Sequence, residues 1–283
     1  MMPSRPMPPT PLRRARRVAT LTIGLLAAVV AVASGHDMFV KPARYFVEEN
    51  AEVLVRILNG TFSRSENSID RVRVQDISVV SPTGHERLDT ASWSATGDTS
   101  TFRLRTGATG TYVVAAATKP SVIPLDAKEF NTYLRDDGIP DVLDARRKSG
   151  ELQKAARERY SKHVKALVQV GQTRTAHFGT ALGYPAELVP LDNPYALAVG
   201  DTLRVRTLVD GKPAANQYVL FGGRTPKGGR LVQRHVRSDS AGVAHIPLRQ
   251  RGIWYLKFIH MARVAADSVD YESRWATLTF QLR

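Results

Sequence analysis

His36 stands two residues beyond Ser34 and three beyond Ala33, directly after an apolar stretch, and that position is what gives it chemistry. If a peptidase cuts after Ala33, the chain starts Ser34-Gly35-His36. An α-amine, two amide nitrogens and an imidazole can then close around one square-planar ion, an arrangement that suits Cu(II) or Ni(II). If the cut falls after Gly35, His36 itself is first and offers its α-amine and Nδ1 as a bidentate pair that needs further donors from the fold. The alternative is a polar residue at a frayed end. His260, at the end of an apolar run that begins at Trp254, and Glu272, just before the last expected strand, are the candidates for further metal ligands. A lone histidine at such a place is also what a half-buried strand edge offers. His163 has a competing capping role, and His85, His177, His235 and His245 have no companions in the sequence.

The leader that would expose His36 is visible in residues 1–35. Arg5, Arg13, Arg14, Arg16 and Arg17 precede an apolar run over 18–33, and Ala31, Ala33 and Gly35 supply small residues for cleavage, the layout of a signal peptide. Sixteen residues fall short of the roughly 20 that span a bilayer, although an uncleaved inner-membrane anchor is the alternative. The paired arginines lack a following aromatic, which leaves Sec and Tat export both open. The expected location is periplasmic or secreted.

Composition narrows the classes. The 283-residue chain has a formal charge of +14, and loss of the five leader arginines, with no acid among them, leaves +9. Its cations are interspersed with acids and no nucleic-acid motif appears, so a solvated surface is the reading and nucleic acid is excluded as a partner. With 0 Cys there is no disulfide and no thiolate site. There is no His-Glu-x-x-His, no nucleophile elbow and no dinucleotide fingerprint. The glycines from Gly223 to Gly229 lack the Lys-Ser/Thr of a phosphate loop, so no enzyme is expected. Asn59-Gly60-Thr61 reads as a strand-ending turn more than a glycan acceptor, and Asp136-Asp137 as a helix end.

The elements that must position these residues are mostly strands. Period-2 alternation and turn signals predict strands over 39–46, 53–58, 72–80, 85–93, 101–104 and 112–116. Between 125 and 165 the apolar spacing becomes helical: a helix starts at Asp126 with Glu129, a short one surrounds Val142 and Leu143, and a third covers 151–163. Strands return over 166–170, 203–209, 217–221, 231–236, 243–248, 254–260 and 275–282. The expected fold is mostly β: a signal peptide (1–35), an N-terminal β-sandwich (36–120), a helical insert (121–165) and a C-terminal Ig-like β-sandwich (166–283).

Several stretches carry a family resemblance: His36-Asp37-Met38-Phe39 with Pro42, residues 128–134, residues 158–171, Leu188-Val189-Pro190, Asp192-Asn193-Pro194-Tyr195, Asp210-Gly211-Lys212-Pro213, His260-Met261 and residues 271–280. In order and spacing they resemble the exported domain-of-unknown-function 4198 proteins (DUF4198), which are grouped with periplasmic components of nickel and cobalt uptake systems. The resemblance implies a two-sandwich periplasmic protein concerned with transition-metal handling, with His36, His260 and Glu272 as the positions carried over. It implies Ni(II) or Co(II) as cargo, with Cu(II) as the alternative, and a membrane metal transporter or outer-membrane receptor as partner. The 7 histidines form no His-rich tract, a departure from what metal-binding members are expected to carry. Two other readings stand beside this one: a metal-free sandwich module that docks on an envelope transporter or receptor, and a copper-dependent oxidase of polysaccharide built on an amino-terminal histidine. Metal identity, partner and oligomeric state are not written in the sequence.

Overall fold

The computed structural model describes residues 36–266 and 268–283; the expected signal peptide lies outside the described residues. The elements in chain order are β1 (Asp37–Pro42), β2 (Phe46–Val47), β3 (Glu52–Gly60), β4 (Val74–Ser81), β5 (Gly84–Arg87), β6 (Ser94–Thr96), β7 (Thr99–Arg105), β8 (Gly110–Thr118) and β9 (Ser121–Leu125). Then come α1 (Ala127–Asp136), α2 (Pro140–Lys148), β10 (Ala156–Val170), β11 (Ala186–Pro190), β12 (Thr202–Val209), β13 (Lys212–Pro213), β14 (Tyr218–Arg224), β15 (Arg230–Arg237), β16 (Val243–Pro247), β17 (Gly252–Ala266) and β18 (Val269–Leu282). The protein is mostly β and sandwich-like, with two α-helices among the described residues.

One ten-stranded sheet, in the order β15-β14-β17-β18-β10-β8-β4-β5 with β2 and β9 also on β10, receives strands from all three expected segments. A four-stranded sheet, β1-β3-β7-β6, packs on one face, and a second, β11-β12-β13 with β16, packs on the other. The alternation of β10 shows how: Val164, Ala166 and Val168 belong to the core shared with β1 and β3, while Leu167 between them belongs to the core shared with β11 and β12. Successive side chains of a strand point to opposite faces, so a strand covered on both sides is buried continuously. We call the face that carries Val164 the proximal face and the other the distal face.

β10 also corrects the sequence reading. Residues 151–163, expected as a third helix, are a loop followed by strand, and His163 is a strand residue. The charged run from Arg157 to Lys165 looks like a solvated helix face, yet it pairs with β18 in parallel register and, over its first residues, with β9 in antiparallel register, and β8 takes over from Leu167. Helix propensity is a weak prior that such pairing overrides. The buried charges are accommodated one by one. On the distal face Lys165 is paired with Glu187, whose carboxylate also accepts the backbone N–H groups of Leu182, Gly183 and Tyr184 at 2.8, 2.7 and 3.0 Å. Two smaller departures concern residues 85–93, where strand ends at Arg87 and a 3-10 turn follows at Thr90–Ser92, and residues 39–46, which divide into β1 and β2 after Pro42.

The helices form where the sequence places them. Asp126 accepts from the Glu129 N–H at 2.7 Å and Glu129 reaches back to the Asp126 N–H, a complete capping box. Pro140 opens α2 at the position where its missing N–H costs nothing. Phe130, Tyr133 and Leu134 pack with Ile259, Met261, Tyr271 and Trp275. The helices therefore cover the part of the proximal face that β1 leaves open, and the seam between β1 and α1 is where the polar groups collect.

Candidate functional site

The first residues of β1 are anchored from below by two lysines of the central sheet. Lys257 on β17 donates to both oxygens of Asp37, at 2.8 and 2.7 Å, and to Asp137 Oδ1 at 2.9 Å. Asp137 is the residue that ends α1, followed by Gly138 at φ +82. One ammonium thus ties β1, the end of α1 and β17 together. Burial disfavours its charge, but Asp37 and then Asp137 outweigh that cost and raise the Lys257 pKa above the ordinary lysine value. Asp137 is pushed up to about 6: burial is the main cause, Lys257 opposes it, and the negative charge of Asp37 adds to it.

Lys162 on β10 is the second anchor. Its Nζ donates to the His36 carbonyl oxygen and to Asn59 Oδ1 at 3.2 Å, and it lies 5.1 Å from the Trp275 ring centroid and 5.6 Å from that of Tyr160. Burial lowers its pKa to about 8 against the opposing pull of Asp37, Asp137 and Glu158. Glu158, four residues earlier on the same face, accepts from the hydroxyls of Tyr133, at 3.0 Å, and Ser273; burial raises its pKa, and those two hydrogen bonds limit the rise.

With its carbonyl held, His36 turns its ring to the loop after β3. Nδ1 is 3.1 Å from Glu66 Oε2 and Nε2 is 3.4 Å from Asn67 Nδ2, and the side chain keeps 22% of its surface exposed. The ring stands between two cavities. One, of about 460 Å³, is bordered by Asp37, Glu66, Asp137, Arg224 and Tyr255; the other, of about 340 Å³, runs under Ile69, Ile123, Tyr160 and Trp275 toward Lys162. Asn59 points at Lys162, so its amide is engaged inside the site and the turn reading of Asn59-Gly60-Thr61 fits its surroundings.

His260 and Glu272 lie elsewhere. In the register of β17 on β18, His260 faces Arg274 and Ala262 faces Glu272, whereas Ile259 faces Trp275 and Lys257 faces Thr277. Alternation therefore sets His260 and Glu272 on the distal side of the sheet and His36 on the proximal side. His260 Nδ1 is 3.3 Å from Gln217 Oε1, and burial and then Arg274 lower its pKa. The structure places His260 and Glu272 as diagonal neighbours on adjacent strands and does not bring either to His36. Among the described residues no group of three or more His, Asp or Glu is placed to hold one metal ion.

Sequence reasoning missed Glu66, Asp37, Asp137, Glu158, Lys162 and Lys257. Asp37 and the pair Glu158 and Lys162 sit inside stretches that carry the family resemblance, but their roles depend on partners at the far ends of the chain: Lys162 is 126 residues from His36 and Lys257 is 220 from Asp37. The only local hint was the spacing of Glu158 and Lys162, which places two charges on one face once the segment is read as a strand.

Among curated proteins no relative matches the chain. Among solved structures, a tetra-tandem repeat from the extending region of a large adhesion protein aligns with 87% of this chain at 11% identity and a TM-score of 0.20. The chain spans about half of that protein, 49% of its length, and so weak an overlap carries no argument about fold or function. No helix among the described residues is long and apolar enough to cross a membrane. A family model described as a domain of unknown function matches residues 33–262, beginning just before His36 and running through both anchoring lysines, and the chain therefore belongs to the DUF4198 family.

Proposed function

We propose that this protein is an exported, non-catalytic metal-capture protein that takes a divalent transition-metal ion, Ni(II) or Co(II) with Cu(II) as the alternative, at His36 and hands it to an envelope transporter. The observation that carries the reading is the approach of Glu66 Oε2 to His36 Nδ1, 3.1 Å, where His36, just before β1, and Asp37, its first residue, are held by buried lysines. Two donors that share one ion through bonds of about 2.1 Å at right angles lie about 3 Å apart, and imidazole nitrogen with carboxylate oxygen suits these borderline ions. Cleavage after Gly35 adds the α-amine of His36 as a third donor and makes the set specific to the processed chain. His260 and Glu272 have no part in this set. A site with so few donors, open to two cavities, suits transient loading of cargo more than a closed structural site, in which four protein ligands surround the ion.

Calorimetric titration of the processed protein with each ion tests this, alongside mass spectrometry of its first peptide. The processed chain binds one equivalent, His36→Ala loses at least tenfold in affinity, and Glu66→Gln weakens binding to a smaller degree. Equal binding by the parent and His36→Ala, or a mature chain that begins well past His36, removes the proposal.

A further inference from the structure

The 340 Å³ cavity beside His36 is not accounted for by metal capture, and its chemistry points to a different occupant. Its lining is more apolar than polar and its volume is that of a small-ligand pocket. Two cations stand over the same aromatic ring within it: Lys162 Nζ and the Arg73 guanidinium carbon are each 5.6 Å from the Tyr160 centroid. Neither is fully used. Lys162 has three N–H donors and two protein acceptors, the His36 carbonyl and Asn59. Arg73 donates through Nη2 to the Lys119 carbonyl at 3.2 Å, while its Nε is buried with no hydrogen-bond partner. A buried donor without an acceptor is costly, and a ligand oxygen that reaches it recovers the loss. Of the two acids that line the cavity, Glu158 has Oε1 taken by Tyr133 and Ser273 and helps keep Lys162 charged, and Asp70 is exposed. Ile69, Ile123 and Leu125 supply branched apolar wall, beside the polar His36, Ser68 and Thr118.

From this arrangement we infer that the cavity is a binding site for a small carboxylate with an apolar body, its carboxylate facing Lys162 and Arg73 and its body against Ile69, Ile123 and Leu125. A carboxylate has two oxygens to accept from these cationic donors, and the apolar side chains cover its hydrocarbon part. The site does not depend on the metal reading, because Lys162 and Arg73 have no part in the His36–Glu66 donor pair.

The test is calorimetric titration of the processed protein, stripped of metal with EDTA, against benzoate, its neutral isostere benzamide and inorganic phosphate at pH 7. Benzoate binds with one-to-one stoichiometry, benzamide binds at least tenfold more weakly, and phosphate alone does not match benzoate. Arg73→Gln, a change at the cavity rim, weakens benzoate at least fivefold, and Ile123→Trp, which fills the cavity, abolishes binding while the thermal melt stays cooperative. Lys162→Met gives a loss of tenfold or more if it folds; the other two variants decide the matter if it does not. Benzamide binding as tightly as benzoate, phosphate binding as tightly as benzoate, or unchanged affinity in both Arg73→Gln and Ile123→Trp overturns the inference.

Discussion

Replacing Lys257 by methionine removes the one cation that holds β1, α1 and β17 together. Lys257 is 4% exposed in its side chain, and it leaves behind two carboxylates, Asp37 and Asp137, 16% and 18% exposed. Breaking a buried ion pair by removing one partner costs about 3–5 kcal/mol. Because water reaches both acids to some extent, the lower end applies, about 3 kcal/mol, which for a chain of this size is a fall of roughly 6–12 °C in midpoint. The loss depends on pH in a defined direction. Asp137 titrates near 6 with Lys257 present, already above its unfolded value, and rises further without it. A carboxylate with a raised folded pKa contributes stability that is complete below the unfolded value of about 4 and disappears as pH climbs through the folded one. The deficit of Lys257→Met therefore shrinks between pH 7 and pH 5, and adding Asp137→Asn recovers part of it at pH 7. Urea denaturation of the three proteins at both pH values measures this. A deficit under about 1 kcal/mol at pH 7, or one that widens on acidification, refutes the account of the seam.

Other expectations follow from the same buried charges and from the helix cap. Lys162 has its folded pKa lowered to about 8, so between pH 8 and pH 10.5 the unfolded chain binds the proton more tightly; stability relative to Lys162→Met rises across that window by about 3 kcal/mol, and a flat difference in denaturation midpoints contradicts the burial argument. His163, lowered to about 4 by burial despite its contact with the Trp275 carbonyl, stays neutral to pH 5. Its imidazole resonances should not move between pH 8 and pH 5, and a midpoint near 6.5 counts against the buried setting. Asp126→Ala removes the acceptor of the α1 capping box and costs about 1 kcal/mol; an unchanged melting midpoint argues that tertiary packing alone holds α1.

Much of the fold was legible because local rules and tertiary context agree there. Val53, Val55 and Ile57 alternate into the core of β3, Asp126 and Glu129 start α1, and Asp136-Asp137-Gly138 ends it. β10 was not legible. Its charged first half matches a solvated helix in any short window, and only pairing with β18, more than one hundred residues away, makes strand the stable state. The same distance hid most of the site. His36 stood out because its chemistry depends on a neighbour in sequence, the bond that cleavage would break. Glu66 and Lys162 carried no such mark.

The residues themselves determined a mostly β chain, a histidine close behind an apolar stretch, two well-signalled helices, and a composition with 0 Cys. Only the tertiary structure decided that one sheet carries both sandwich layers, that His260 and Glu272 face away from His36, and that Lys162, Lys257, Asp37, Asp137 and Glu158 converge beside it. The physical reason is that a strand's side chains alternate faces with no regard to chemical type. Which acids and bases meet is set by register between distant strands, and register is a property of the assembled sheet.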